Sequence, residues 1–241
     1  MKTLIVFAHP EPKSFNGGLR DAAVAALAPK GEVRVSDLYA QGFAAECGRG
    51  DFVAAKNPDY LDVIREQGHA FKTNGFAPEI RREIDHLLWA DLVILQFPIW
   101  WFGPPAILKG WMDRVFVPGH TYGRGKWFET GGMAGKRAFV SATATASEAS
   151  YGWRGRYGDL DNLLWPVLLS LRFVGFDVLK PHFSGEVHAT EEHRKALIDA
   201  YAKRVAGIGA EAPMFFHPES DYAEGDVLKP GVKARTVAQR D

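Results

Sequence analysis

The sequence predicts an α/β protein built on a doubly wound, five-stranded parallel sheet in the order 2-1-3-4-5, with a C-terminal extension. Three observations predict it. Short apolar runs alternate with longer segments of helical spacing along the chain. The runs at 3–8 (TLIVFA) and 91–95 (DLVIL) are nearly continuous rather than alternating, as in strands buried on both faces. The loops after the first, third and fourth strands are the richest in glycine, proline, hydroxyl and aromatic residues. In that strand order those three loops adjoin at the carboxyl edge around the switch point, where one flat, phosphate-bearing ligand can touch all three.

After the first strand, His9-Pro10-Glu11-Pro12-Lys13-Ser14-Phe15-Asn16-Gly17-Gly18 leads into an alanine-rich helix over about 19–27. Ser14 and Asn16 are both helix-capping residues, and the glycines leave amides open at the positive helix end. This suits a phosphate or an ordinary capped helix; it is neither G-x-G-x-x-G nor a P-loop. Residues 33–38 alternate and form the second strand, at an edge. From 39 to 77 the periodicity weakens, with a short helix around Tyr60, Leu61, Val63 and Ile64. Ile80, Ile84, Leu87 and Leu88 mark an amphipathic helix whose Arg81, Arg82, Glu83 and Asp85 read as a solvated face.

The stretch QFPIWWFGPPAILKGWMDR at 96–114 organises the chain. It follows the third strand, breaks at Pro98, and re-enters a helix near Pro104 and Pro105. Trp100, Trp101 and Phe102 therefore sit on a loop at the strand's carboxyl end, suited to cover a flat ligand or to plug a subunit interface. The fourth strand, 136–141, ends in the small residues Ala142-Thr143-Ala144-Thr145-Ala146, which allow close approach to the backbone. A second glycine- and aromatic-rich loop covers 151–159. A helix over 160–173 with a kink near Pro166, a fifth strand at 175–179 and a helix over 189–208 follow. The domain is expected to span 1–210, with 211–241 an irregular extension of it.

Composition excludes several classes. With 29 basic and 29 acidic residues there is no electrostatic footprint for nucleic acid or an anionic membrane. Cys47 is the single cysteine, which rules out an internal disulfide and suits a reducing compartment. No apolar run reaches the ~18 residues of a membrane span, and the expected location is the cytoplasm. The eight histidines are scattered, without H-x-x-x-H spacing, so no metal site is expected. The G-x-S-x-G elbow is also absent.

The motifs LIVFAHPEPKSFN at 4–16, SDLYA at 36–40 and ADLVILQFPIWWFGPPAILKGWMDRVF at 90–116 carry a family resemblance. So do YGD at 157–159, LLWP at 163–166 and GFDVL at 175–179. The chain resembles, nearly continuously from about 3 to about 218, the NAD(P)H:quinone oxidoreductases, flavodoxin-like FAD enzymes also called DT-diaphorases. The resemblance implies a flavodoxin-like fold and FAD, with FMN less expected. It places His9, Ser14, Phe15 and Asn16 at the pyrophosphate, Pro98, Ile99, Trp100, Trp101 and Phe102 along the isoalloxazine, and Arg194 near the adenine. Thr143, Thr145 and Ala146 fall at the pyrimidine edge, and Tyr151 near the flavin carbonyl. It also implies a homodimer with shared active sites, in which Tyr122 reaches the partner's pocket.

The implied mechanism is ping-pong: NADH or NADPH gives a hydride to flavin N5 and leaves, and a quinone then takes a hydride from N5. Acceptors would stack against Trp101, Phe102, Tyr122, Tyr151 and Tyr157. Two departures from the family bear on this. Tyr157 stands where mammalian members carry a histidine, and Tyr151 and Tyr157 are the candidate catalytic pair here. A tyrosine of pKa near ~10 donates a hydrogen bond but is a poor cation at neutral pH. Thr145-Ala146 replaces a double glycine, which tightens the fit at the pyrimidine edge. The alternatives to a reductase are a flavin-binding ancillary protein with little turnover and an FMN carrier of single electrons. Arg124, Arg154 and Arg156 are candidates, by location, for discriminating NADPH from NADH.

Overall fold

The computed structural model describes residues 1–236; the last five residues of the expected 211–241 extension lie outside the described residues. The sheet is parallel throughout, in the order β2-β1-β3-β4-β5. β1 (Thr3–Phe7) lies between β2 (Val33–Asp37) and β3 (Leu92–Pro98), with Val6 opposite both Ser36 and Leu95. β3 pairs with β4 (Arg137–Thr143), Ile94 opposite Phe139. Every residue of β1 and β3 is buried, as continuous apolar runs require of central strands.

The fifth position differs from the sequence expectation. Two segments occupy it, β5 (Asp177–Val178) and β6 (His182–Ser184), and both pair with β4. Pro181 lies between them and has no N–H for the ladder, so the strand is interrupted. After the last helix the chain returns past β5: Met214 N–H donates to Val178 O at 2.7 Å, and Leu179 bridges Pro213.

Helices cover both faces. On one, α1 (Phe15–Leu27) and α6 (Glu191–Gly207) bury Leu19, Leu27, Tyr201 and Val205 against Ile5, Ile94 and Phe139. On the other lie α3 (Pro78–Trp89), α4 (Ala106–Val115) and α5 (Leu160–Phe173), through Ile80, Leu108, Trp111 and Leu168. Among the described residues no helix is long and apolar enough to cross a membrane.

Two expectations on the α3 side need correction. The short helix around 60–64 is instead α2 (Val63–Thr73), capped by Asp62, whose side chain accepts from Arg65 N–H, and ended by Asn74 in the left-handed region. Its buried face is polar, Glu66 and Gln67 with Ala70, so no apolar stripe announces it. Glu66 accepts the amides of Lys56 and Asn57 at 2.6 and 2.9 Å, tying the preceding loop to the helix. Glu83 is not on a solvated face: it is fully buried and accepts from Trp111 Nε1 at 2.9 Å. A buried indole N–H needs such a partner, and the carboxylate supplies it.

His182 on β6 packs its ring 4.7 Å from Tyr201, with Nε2 3.1 Å from Ser184 Oγ. Burial, aided by the charge of Arg204, pulls its pKa down to about 4. The unfolded chain takes up this proton near pH ~6.5, so stability falls as pH drops from there towards 4. The expected loss by pH 4 is about 3 kcal/mol from this group. Urea unfolding at pH 7 and pH 4 checks it: the acid loss should be smaller by that amount in His182→Gln, and an unchanged loss would refute it.

Candidate functional site

The carboxyl ends of β1, β3 and β4 open onto one cavity of about 470 Å³. Its floor begins at the start of α1. Ser14 is the N-cap, its Oγ accepting from Gly17 N–H at 3.1 Å, and the Gly18 amide makes the first intrahelical bond, to Ser14 O. The amides of Phe15 and Asn16 come before that bond and have no partner inside the helix, so they form the positive end of α1. The helix starts four residues before the sequence spacing suggests, which brings Asn16, Gly17 and Gly18 into its first turn. Gly17 is required there, because a Cβ would lie 1.9 Å from Pro12 O.

Asn16 is held by a buried polar chain. Its Nδ2 donates to Thr143 Oγ1 at 2.6 Å, its carbonyl accepts from Gln96 Nε2 at 2.7 Å, and Gln96 Oε1 accepts from Tyr201 OH at 3.2 Å. Residues of β4, β3 and α6 thereby fix Asn16, Thr143 through its side chain and Gln96, backed by Tyr201, through its backbone. Asn16 Oδ1 is nevertheless buried without a partner, and so is Nε of Arg194, which lines the same cavity. Buried orphans of this kind are rare, and a bound polar group in the cavity would satisfy both. Arg194 sits with its guanidinium 5.8 Å from the Phe15 ring. His9, on the same wall, has a pKa lowered chiefly by burial, and its Nδ1 accepts from Glu11 N–H at 3.0 Å.

The opposite wall is the aromatic loop. Trp100 N–H donates to Gly103 O at 3.0 Å, and Gly103 N–H returns to Trp100 O at 3.1 Å. Between them Trp101 and Phe102 have φ of 50° and 62°. Two consecutive left-handed residues make a tight turn of the kind usually built from Asn-Gly. Such backbone costs about 1–3 kcal/mol per non-glycine residue and gathers at functional sites. The strain displays the rings: Trp101 is 96% exposed, Phe102 50% and Trp100 42%. Below them Ile99 N–H is anchored to Thr143 O at 2.8 Å.

Phe102, Tyr157, Tyr151 and Phe183 form a continuous row of rings, with neighbouring centroids 5.6, 5.2 and 4.9 Å apart. Tyr151 is buried, which, with the adjacent Tyr157, raises its pKa above the usual phenol value. It is therefore a hydrogen-bond donor throughout the neutral range. The loop is compact because Gly155 lies against Ser150, where a Cβ would fall 2.3 Å from the carbonyl oxygen.

Of the residues singled out from sequence, the cavity joins His9, Ser14, Phe15, Asn16, Pro98, Ile99, Trp100, Thr143, Thr145, Tyr151 and Arg194. Tyr157 and Phe102 extend its rim through the ring row, and Trp101 projects beside them. Ala146 lies just outside, where its carbonyl accepts from Glu186 N–H. Tyr122 is not part of this cavity; it contacts Phe173 and lines a separate groove. The cavity also includes Ala144, from the small-residue stretch the sequence marked for close approach, and Val187 and His188, which sequence reading missed. Val187 and His188 follow β6, a strand the pattern did not reveal. Among the described residues, no three His, Cys, Asp or Glu side chains gather to hold a metal.

A family model for the flavodoxin-like fold matches residues 1–207. Over 236 residues the chain is 39% identical to NAD(P)H dehydrogenase [quinone] 1 of Cavia porcellus, covering 95% of this chain and 86% of that one. This chain belongs to the NAD(P)H:quinone oxidoreductase family of flavodoxin-like proteins. Another member, the Homo sapiens ribosyldihydronicotinamide dehydrogenase [quinone], is 40% identical over 88% of this chain and 94% of its own. A solved structure from Klebsiella pneumoniae, described as a candidate quinone reductase, superposes with a TM-score of 0.93 at 33% identity. It covers 99% of this chain and 98% of its own. Family membership and the cavity at the switch point thus agree on a flavoenzyme architecture.

Proposed function

We propose that this protein is a cytoplasmic, homodimeric, FAD-dependent NAD(P)H:quinone oxidoreductase that reduces quinones, or related aromatic acceptors, by two electrons. The observation that carries this reading is one cavity lined together by the start of α1, the aromatic loop and Arg194 on α6. FAD rather than FMN is the reading the family resemblance supports, and Val187, His188 and Arg194, which line the same cavity as the start of α1, would be available to its adenosine half. Bound there, the flavin would supply the hydride relay, as cofactors do for chemistry that side chains cannot perform.

The protein's own part is binding. Ser14 and the Phe15 and Asn16 amides would hold the pyrophosphate, with the helix end favouring its charge. Pro98, Ile99 and Trp100 would line the ring edge, and Thr143 and Thr145 the pyrimidine side, with Ala146 just beyond them. Tyr151 holds its proton and donates a hydrogen bond, with Tyr157 as the outer donor in place of a histidine. Trp101 and Phe102, exposed at the rim, would offer a stacking plate for donor and acceptor in turn.

Topology supports the dimer reading. α4 leaves the carboxyl edge of the sheet, so Tyr122, beyond its far end, lies away from its own chain's cavity. It borders an apolar groove of about 580 Å³, along with Met112, Phe116, Phe173 and the exposed Ile64. A second chain on that groove would bury the patch and deliver Tyr122 to a neighbouring site. Steady-state oxidation of NADH and NADPH by protein reconstituted with FAD or FMN tests the proposal. Quinone-dependent turnover, higher with FAD, is expected. Tight flavin binding without quinone-dependent turnover would instead identify a flavin-binding ancillary protein.

A further inference from the structure

A second cavity, of about 490 Å³, lies between α2 and the loop that follows α4, and its chemistry is distinct. Lys56, Arg65, Lys72, Arg124 and Lys126 line it together with His69, and no carboxylate does. The chain as a whole has no excess of cations, so this is local segregation of charge. Arg65 pairs with Asp62 at 3.2 Å, whereas Lys56, Lys72, Arg124 and Lys126 make no ion pair among the described residues. The nearest carboxylate on α2, Glu66, is turned inward onto the amides of Lys56 and Asn57. Four unpaired cations around one concavity repel each other, and a bound anion relieves that repulsion while gaining charge-assisted hydrogen bonds.

The wall also carries a flat apolar plate. Phe71 is 38% exposed and lines the cavity. Its ring is held edge-on against His120, centroids 4.6 Å apart, and Gly119 packs so closely that a Cβ would fall 2.5 Å from it. A fixed, half-open ring beside a cluster of cations matches an aromatic base joined to a phosphate. We propose that this cavity binds the phosphate of a nucleotide, with the base against Phe71.

The cavity cannot serve the flavin site of its own chain. The 117–126 loop follows the far end of α4, at the opposite edge of the sheet from the carboxyl ends of β1, β3 and β4. The same loop carries Tyr122, whose carbonyl accepts from Gly119 N–H at 2.7 Å. Two sources of nucleotide phosphate are therefore open. One is the 2′-phosphate of NADPH bound at a second chain's site, which rests on the dimeric reductase reading. The other is a free nucleotide bound independently of it.

Calorimetric titration of the FAD-loaded protein with adenosine 2′,5′-bisphosphate, AMP and inorganic phosphate tests the site directly, using wild type and the double variant Lys72→Gln/Lys126→Gln. Both lysines are exposed, so the variant should keep its melting temperature and FAD affinity. The expected result is saturable nucleotide binding by wild type, weakened by raised salt and at least ~10-fold weaker in the variant. A KM for NADPH that rises by a similar factor, with the KM for NADH unchanged, identifies the donor's phosphate as the source. Lost bisphosphate or AMP binding with both KM values unchanged identifies a free nucleotide. No binding by wild type at millimolar concentration, or equal binding by the variant, overturns the proposal. Because the titration needs no turnover, a protein that binds nucleotide here but reduces no quinone refutes the reductase reading alone.

Discussion

Replacing Gly17 by alanine is expected to weaken flavin binding by at least ~100-fold, about 2.7 kcal/mol at ~1.4 kcal/mol per decade. The direction is opposite to what helix propensity alone gives, since Gly→Ala inside a helix ordinarily stabilises by up to about 1 kcal/mol. Here the added Cβ would stand 1.9 Å from Pro12 O and 2.8 Å from its carbonyl carbon, both backbone atoms that cannot rotate away. The 9–14 loop has to lift off α1, carrying His9 and Ser14 away from the amides they flank. Gly18→Ala is the matched control: its Cβ meets only the end of the Ile198 side chain, at 3.2 Å. Fluorescence titration of FAD into the three apoproteins checks this, and wild-type affinity in Gly17→Ala would contradict it.

Arg114→Ala is expected to destabilise the fold by about 3–5 kcal/mol, the range for stranding a buried charge. The guanidinium is 3% exposed; its Nε and Nη2 reach Asp51 Oδ1 at 3.0 and 2.8 Å, and Nη2 also reaches Glu79 Oε1 at 2.5 Å. Nη1 donates to Ala44 O at 2.6 Å, and the group stacks 4.5 Å from the Phe43 ring. One side chain thus pins the 43–51 segment and α3 to α4. Without it Asp51 stays buried, and the Cys47 thiol on its other oxygen, with a pKa pushed up to about 12, supplies no positive charge. At ~2–4 °C per kcal/mol for a domain of this size, the melting temperature should fall by roughly 6–20 °C. Lys109→Ala, which breaks an exposed pair with Asp113, should cost less than about 1 kcal/mol. Calorimetry of the two variants decides, and equal effects would contradict the account.

The architecture was legible in the sequence where burial on both faces wrote itself as continuous apolar runs, at β1 and β3. It was illegible where polar residues do structural work. Glu83 reads as surface because it is charged. Yet with Ile80, Ile84 and Leu87 it completes the i, i+3, i+4, i+7 stripe of α3, a spacing that could have marked it as buried. α2 reads as a fragment because its inner face is Glu66 and Gln67, although Asp62 and Asn74 are available as cap signals. β6 is three residues long behind a proline, too short for periodicity to detect.

The candidate site divides the same way. The loops at the carboxyl edge, and most of the cavity's residues, could be named from the sequence and its resemblance. The turn at Trp101 and Phe102 could not, because bulky aromatics are the opposite of what left-handed positions ordinarily take. Nor could the orphaned Asn16 Oδ1, which arises from Thr143 holding the side chain while Gln96, backed by Tyr201, holds the backbone carbonyl.

The most direct measurement is the absorbance spectrum of the purified protein, with the released cofactor identified, followed through anaerobic addition of NADH and NADPH. The account predicts a yellow protein that releases FAD and loses its flavin absorbance on addition of a pyridine nucleotide. A protein that neither holds nor takes up FAD, or whose bound flavin keeps its oxidised spectrum with both donors, would contradict it.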